Sequence, residues 1–229
     1  MLLTGKKLHA RLVLRAAMAA TALLSALSAV PAAAVEPVAS PGSELVLESA
    51  SADARYARRW VLALGDNQAQ PFVIVDKKSA RLFVFEASGQ LRGASPALLG
   101  LTPGDRAVAG IEQREVASLR GDERSTPAGR FASEPGHNLQ GEAIVWIDYA
   151  AKLAIHRLRP APAHERRPER LASATPGDNR ISLGCVVVPV SFYESVVSPL
   201  LGKNYGVVYV LPEDQPVERM LGALQLSMR

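Results

Sequence analysis

Cysteine is almost absent: the 229-residue chain has one, Cys185. An internal disulfide is therefore excluded. A lone thiol is left three roles: inert and buried, paired with another molecule, or chemically employed. Histidine is scarce as well, with four residues. There is no internal repeat. Beyond residue 34 no apolar run is long enough to span a membrane, since a spanning helix needs about 20 residues. No cysteine stands near residues 31–36, so nothing there suggests a lipid-modified N-terminus.

Acidic residues are missing from the first 34 positions, where Lys6, Lys7, Arg11 and Arg15 form a positive start. Ala16 to Val30 is a small-residue apolar stretch, and Pro31-Ala32-Ala33-Ala34 offers an Ala-x-Ala cleavage site. This layout predicts a secretory signal peptide over 1–34 and an exported protein, in the periplasm or cell-wall space, with no stable membrane anchor after cleavage. The chain has 26 Lys+Arg against 22 Asp+Glu; losing four cations with the signal leaves 22 of each. A mature chain without basic surplus argues against a nucleic-acid binder.

The remaining length suits one domain with flanking arms. Residues 35–50, rich in Pro, Ser, Ala and Glu, read as a flexible lead-in. Residues 51–70 read as a helical arm, with Tyr56, Trp60 and Leu64 as its apolar stripe and Gly65 as its stop. A catalytic-sized β domain follows over 71–212, and 213–229 form a C-terminal helix or tail. Phe72–Asp76 and Arg81–Glu86 predict a hairpin, with Leu82 and Val84 on one face and Phe83 and Phe85 on the other. Further strands are expected at 97–101, 129–133, 144–149, 153–157 and 206–211, with a long loop over 102–128. His137 is placed in a turn. Ser191 and Glu194 predict a capping box, and 216–226 an amphipathic helix. The fold class is mainly β (α+β) with a few peripheral helices.

A thiol attacks a carbonyl well as the thiolate, and a neighbouring imidazole can take its proton. His156 ends the strand-like Leu153-Ala154-Ile155-His156, where a scaffold fixes it. Cys185 sits in Ser182-Leu183-Gly184-Cys185, where Gly184 permits unusual backbone and the N–H groups of Gly184 and Cys185 are candidate oxyanion donors. The alternatives are a small buried cysteine and a hydrogen-bonded strand-end histidine. Asp178 and Asn179 are read as turn formers, and Trp60 and Trp146 as core. A zinc set of His156, His164 and Cys185 matches no compact pattern, so no metal site is expected.

Three segments, in order, resemble the L,D-transpeptidase family of bacterial cell-wall enzymes. They are the hairpin Phe72–Phe85, the stretch Ser125-Thr126-Pro127-Ala128-Gly129-Arg130-Phe131, and His156 followed by Ser182-Leu183-Gly184-Cys185-Val186. The resemblance covers about residues 70–212. It implies a β-sandwich-like catalytic domain and acyl transfer through a Cys185 thioester, with His156 as base and Gly184 and Cys185 as the oxyanion hole. Ser182 then orders the turn or contacts substrate. The substrates implied are peptidoglycan stem peptides, with an amine of a second stem or of a protein as acceptor. No cofactor is implied, and acylation by carbapenems is expected.

The chain departs from the family at Leu183, often His or Tyr, and at Val187, usually Arg or Asn. The interval from His156 to Cys185 is also long, and its arginines, Arg157, Arg159, Arg166, Arg167 and Arg170 among them, read mostly as a solvated loop. Arg180, just before the motif, is a candidate to pair with a stem-peptide carboxylate in place of the missing polar residue. Three function classes stay open: a transpeptidase, an L,D-carboxypeptidase using water as acceptor, and a non-catalytic peptidoglycan-binding module.

Overall fold

The computed structural model describes residues 41–227; the signal-like segment lies outside them. The first two elements are helices, α1 (Pro41–Glu48) and α2 (Ala52–Leu64). Helix α1 falls in the stretch whose composition reads as a flexible lead-in. What orders it is tertiary: Val46, Leu47 and Ala50 pack on the apolar cluster that also holds α2. Ser51 Oγ accepts the Ala54 N–H at 3.0 Å to start α2, and Gly65, at φ +62°, stops it. The buried stripe of α2 is Ala54, Ala57 and Val61, with Tyr56 and Trp60 at its flanks, while Leu64 is 45% exposed. Small residues let the helix lie close to the sheet, and the large ones fill the margins.

Among the described residues ten strands follow: β1 (Phe72–Asp76), β2 (Arg81–Phe85), β3 (Leu91–Pro96), β4 (Leu99–Gly100), β5 (Gly129–His137), β6 (Ala143–Asp148), β7 (Leu153–Arg157), β8 (Arg180–Ser182), β9 (Val186–Val188) and β10 (Gly206–Val210). Eight form one sheet in the order β3-β2-β1-β10-β5-β6-β7-β9, and β4 pairs with β8. Leu98 and Val187 exchange both backbone hydrogen bonds, at 2.8 and 2.9 Å, so the chain just after β3 meets the far edge strand. The result is a mixed α/β protein dominated by one large, nearly barrel-shaped sheet with few helices. The curl lets one sheet enclose a core between facing strands, as a sandwich does with two. His137 ends strand β5 instead of occupying a turn, because its backbone pairs with Ala143.

Strand alternation sorts the side chains into two cores. Inside the curl lie Val73, Val75, Leu82, Val84, Val145, Ile155, Val186 and Val208 with their neighbours. Tyr193, Val197 and Leu201 plug this interior. They belong to a helical segment made of α4 (Val190–Phe192), a π turn (Tyr193–Val197) and α5 (Ser198–Leu201). Its start differs from the capping-box expectation: Pro189 is the N-cap without a side-chain bond, and Glu194 pairs with Arg157 at 3.0 Å. An ion pair with β7 competes successfully for the carboxylate.

The outer face of β1, β2 and β10 carries Phe72, Ile74, Phe83, Phe85 and Tyr209 and is covered by α1, α2 and α6 (Val217–Ser227). Among the described residues no long helix covers the outer face of β5, β6, β7 and β9. That face is partly roofed by the loop before β5, which contains three short 3-10 turns, and by the short helix α3 (Arg167–Ala172), whose Leu171 packs on Val187 and Leu98. Among the described residues no helix is long and apolar enough to cross a membrane.

Candidate active site

Strands β7 and β9 run parallel with Ile155 beside Val186, His156 beside Val187 and Arg157 beside Val188. Ile155, Val186 and Val188 point inward. Alternation therefore turns His156, Val187 and Cys185 to the outer face, beneath the loop and α3. Cys185 stands one residue before β9, so it and His156 occupy the same face of neighbouring strands, one pleat apart. A local pattern fixes each residue on its strand, and the register sets them on the same face, with no hydrogen bond between thiol and ring.

The turn holding Cys185 is tightly specified. Gly184 has φ +134°, and a Cβ there would lie 3.0 Å from the Ser125 carbonyl oxygen, so both conformation and space demand glycine. Ser182 Oγ donates to the Cys185 carbonyl at 2.6 Å and accepts the Gly184 N–H at 3.1 Å. The buried Thr126 donates to the Gly184 carbonyl at 2.7 Å and accepts the Gly100 N–H at 2.9 Å. A Cβ on Gly100 would lie 2.5 Å from the Arg124 carbonyl oxygen, which lets residues 124–126 thread over β4 and reach the turn.

This geometry corrects the oxyanion expectation. The Gly184 N–H is spent on Ser182, whereas the Cys185 N–H has no acceptor among the described residues. Ser182 braces the turn through its two hydrogen bonds.

His156 is 7% exposed. Its Nδ1 lies 2.8 Å from the Arg157 carbonyl oxygen. A carbonyl accepts only, so Nδ1 carries the proton of the neutral ring and Nε2 keeps its lone pair. Burial, and next the Arg159 cation, push the imidazole down to about 4. Glu142, which Arg159 Nε contacts at 2.5 Å, acts in the opposite direction. Burial also raises the Cys185 thiol, opposed by the Ala154 N–H and the Arg159 charge. At neutral pH the pair therefore rests as thiol and neutral imidazole. Sγ bonds to the Lys152 carbonyl oxygen at 3.6 Å, with the imidazole outside that bond.

Cys185 lines a cavity of about 30 Å³ walled by Val108, Ile111 and Leu119 of the loop and by Ala151 to Leu153. That holds a water or two and no peptide. A peptide reaching Sγ from this side has to displace the loop.

Arg180 is not where the sequence expectation needs it. Its Nη2 donates to the Lys77 carbonyl oxygen and to Glu213 Oε2, both at 2.9 Å. Lys77 is itself fully buried, and its ammonium donates to the carbonyls of Gly104 and Thr126 and to Asp105 Oδ1 at 2.5, 2.8 and 2.9 Å. Arg180 thus belongs to a structural charge cluster, and its remaining terminal nitrogen, Nη1, is unpartnered but buried, out of reach of a substrate carboxylate. Val187 is 1% exposed and sits beside His156 in an apolar patch with Leu98 and Leu171.

Sequence reasoning assigned no role to Thr126, Lys77 or Arg159. Thr126 lies in the Ser125–Phe131 stretch, and that is the one signal the sequence carries for it. Asn179, read as a turn former, is buried and donates from Nδ2 to the Ala97 carbonyl at 3.2 Å. No protein-family model matches this chain, and no curated protein matches it.

Proposed function

We propose that the chain is an exported cysteine acyltransferase of the L,D-transpeptidase type, acting on peptidoglycan stem peptides. The observation that supports it most is the placement of Cys185 and His156 on one face of the sheet, with the imidazole Nε2 lone pair unprotonated and the Cys185 N–H unpaired. Two of the three sequence segments that resemble that family meet here: Thr126 of the second holds the Gly184 turn of the third.

In the proposed reaction, Nε2 of His156 takes the thiol proton as Sγ attacks the carbonyl carbon joining the third stem residue to the terminal D-Ala. The Cys185 N–H stabilises the developing oxyanion. The tetrahedral species expels the D-Ala amine, which takes the proton from His156, and a thioester remains. An acceptor amine then attacks the thioester carbonyl, gives its proton to His156, and expels the Cys185 thiolate, which regains that proton. Water in place of the amine gives the carboxypeptidase outcome. The chemistry consumes no cofactor.

The contact of Sγ with the Lys152 carbonyl, together with a raised thiol, favours one other reading: a stem-peptide binding module whose cysteine is unreactive. Incubation with a carbapenem, followed by intact mass, decides between them. A covalent adduct absent from Cys185→Ala, and D-Ala release from a tetrapeptide, are the outcomes expected of the acyltransferase. A folded protein that binds stem peptide yet forms no adduct and releases no D-Ala would sink it.

A further inference from the structure

The register of this outer face lays out a row that ends at Cys185, exposed at its β5–β6 end and covered at its β7–β9 end. Glu134 of β5 pairs with Trp146 of β6, and Trp146 pairs with Ala154 of β7. Ala154 neighbours Cys185 in the β7–β9 register, one step before Ile155 and Val186. All of these side chains leave the same face of the sheet. The chain assigns a small residue to the middle of the row and aromatic and acidic residues to its end.

Trp146, expected in the core, is a half-buried surface residue here. Its indole edge fills the space that a side chain at Gly136 would need: a Cβ there would lie 2.5 Å from Trp146 Cδ1. The bare backbone of Gly136 thereby seats the ring on the sheet. Tyr149 stands edge-to-face against it, with centroids 5.0 Å apart, and is 69% exposed. Glu134 is exposed, and its carboxylate has no side-chain partner among the described residues. Together with Asp148 these residues line an open groove of about 410 Å³. The groove meets the Cys185 cavity at the β6–β7 turn, which gives Tyr149 and Ala150 to one and Ala151 and Lys152 to the other.

We propose that Trp146 and Tyr149 form a carbohydrate subsite that takes the sugar from which the donor stem peptide hangs. Identification of the ligand rests on acyl transfer at Cys185; the platform itself does not. Two strand spacings separate Trp146 from Cys185, about 9.5 Å. The attacked carbonyl belongs to the third stem residue, and the first residue is joined to the sugar. Three extended residues span about 10 Å. A sugar ring therefore arrives at the aromatic pair when the carbonyl arrives at Sγ. The apolar C–H face of a pyranose stacks on an indole or phenol ring, while hydroxyl and acetamide N–H groups donate to a free carboxylate such as Glu134.

The test is titration of the purified protein with an N-acetylglucosamine oligosaccharide, followed by NMR or calorimetry, in wild type, Trp146→Ala, Tyr149→Ala and Cys185→Ala. Saturable binding that survives Cys185→Ala and weakens about tenfold in either aromatic variant is expected. Tyr149 is exposed, so its variant keeps the test meaningful should Trp146→Ala fail to fold. No saturable binding, or binding that both variants leave unchanged, overturns the subsite. A second comparison uses turnover of a disaccharide-tetrapeptide against the free tetrapeptide. A preference for the sugar-bearing donor that falls about tenfold in Tyr149→Ala supports the assignment, and equal turnover of the two donors by wild type overturns it while leaving the acyl-transfer reading intact. Sugar binding without D-Ala release from either donor leaves the platform standing and removes the acyl-transfer reading and the donor-sugar assignment with it.

Discussion

Thr126 holds the carbonyl of Gly184 through its hydroxyl at 2.7 Å and, with the same oxygen, receives the Gly100 N–H at 2.9 Å. One buried hydroxyl therefore joins the loop, β4 and the nucleophile turn. Thr126→Val keeps the shape and leaves both backbone groups unpaired. A cost of about 2–4 kcal/mol is expected in urea unfolding, together with slower carbapenem acylation of Cys185. Thr126→Ser retains the hydroxyl and is expected to recover most of both. Equal losses in the Val and Ser variants would show that the methyl group, and not the hydrogen bonds, matters.

The buried His156 ties stability to pH. Its imidazole is held near 4, against an ordinary value of 6.5. Above 6.5 both folded and unfolded chains carry it neutral, and it contributes nothing. Between 6.5 and 4 the unfolded chain takes up a proton that the folded one refuses, so stability falls as pH falls. Below 4 the loss levels off. At pH 5 the penalty amounts to about 2 kcal/mol. Denaturant unfolding at pH 7.5 and pH 5 should show wild type losing that much more than His156→Gln, which has no imidazole to protonate. The acid limb of acylation should likewise lie near 4. Identical pH dependence in the two proteins would contradict the burial of a neutral ring.

The hairpin and the histidine strand are legible in the sequence because one property decides each. Leu82 and Val84 go to the inner core and Phe83 and Phe85 to the outer one, as simple alternation requires. Strand β9 is less legible: Val186 and Val188 enter one cluster and Val187 another, so a strand buried on both faces shows no alternation. Helix α1 is hidden for a different reason, since its composition is loop-like and its order comes from packing. Cys185 and His156 are visible as types, but their shared face follows from register. The fate of Arg180 is not readable locally at all. Its partners, Lys77 and Glu213, lie 103 and 33 residues away.

The Lys77 cluster is a structural requirement of the loop that covers Cys185. Burial alone would raise Asp105, yet the Lys77 ammonium and the N–H groups of Glu213 and Asp214 outweigh it and hold the carboxyl below its ordinary value. Lys77→Met removes the ammonium of this set, leaves Asp105 without its cation and strands two carbonyl oxygens. A loss of about 3–5 kcal/mol is expected, as for a broken buried ion pair. Hydrogen exchange in residues 104–126 should rise with it. A variant as stable as wild type, with unchanged exchange in the loop, would show that the cluster is dispensable.

Val187 marks the position where the resembling family carries Arg or Asn, and this chain has built an apolar wall around it. Leu98 and Leu171 contact it, and both of its backbone groups are bound by Leu98. Restoring a polar residue therefore does not restore a polar site. Val187→Asn places an amide in the Leu98–Leu171 patch, where an unpaired amide costs about 1–3 kcal/mol. The expected result is a less stable protein whose carbapenem acylation is no faster than wild type. Faster acylation without loss of stability would mean that the amide turns toward His156 and finds a partner there. The departure at 187 would then be a lost catalytic group and not a refitted wall.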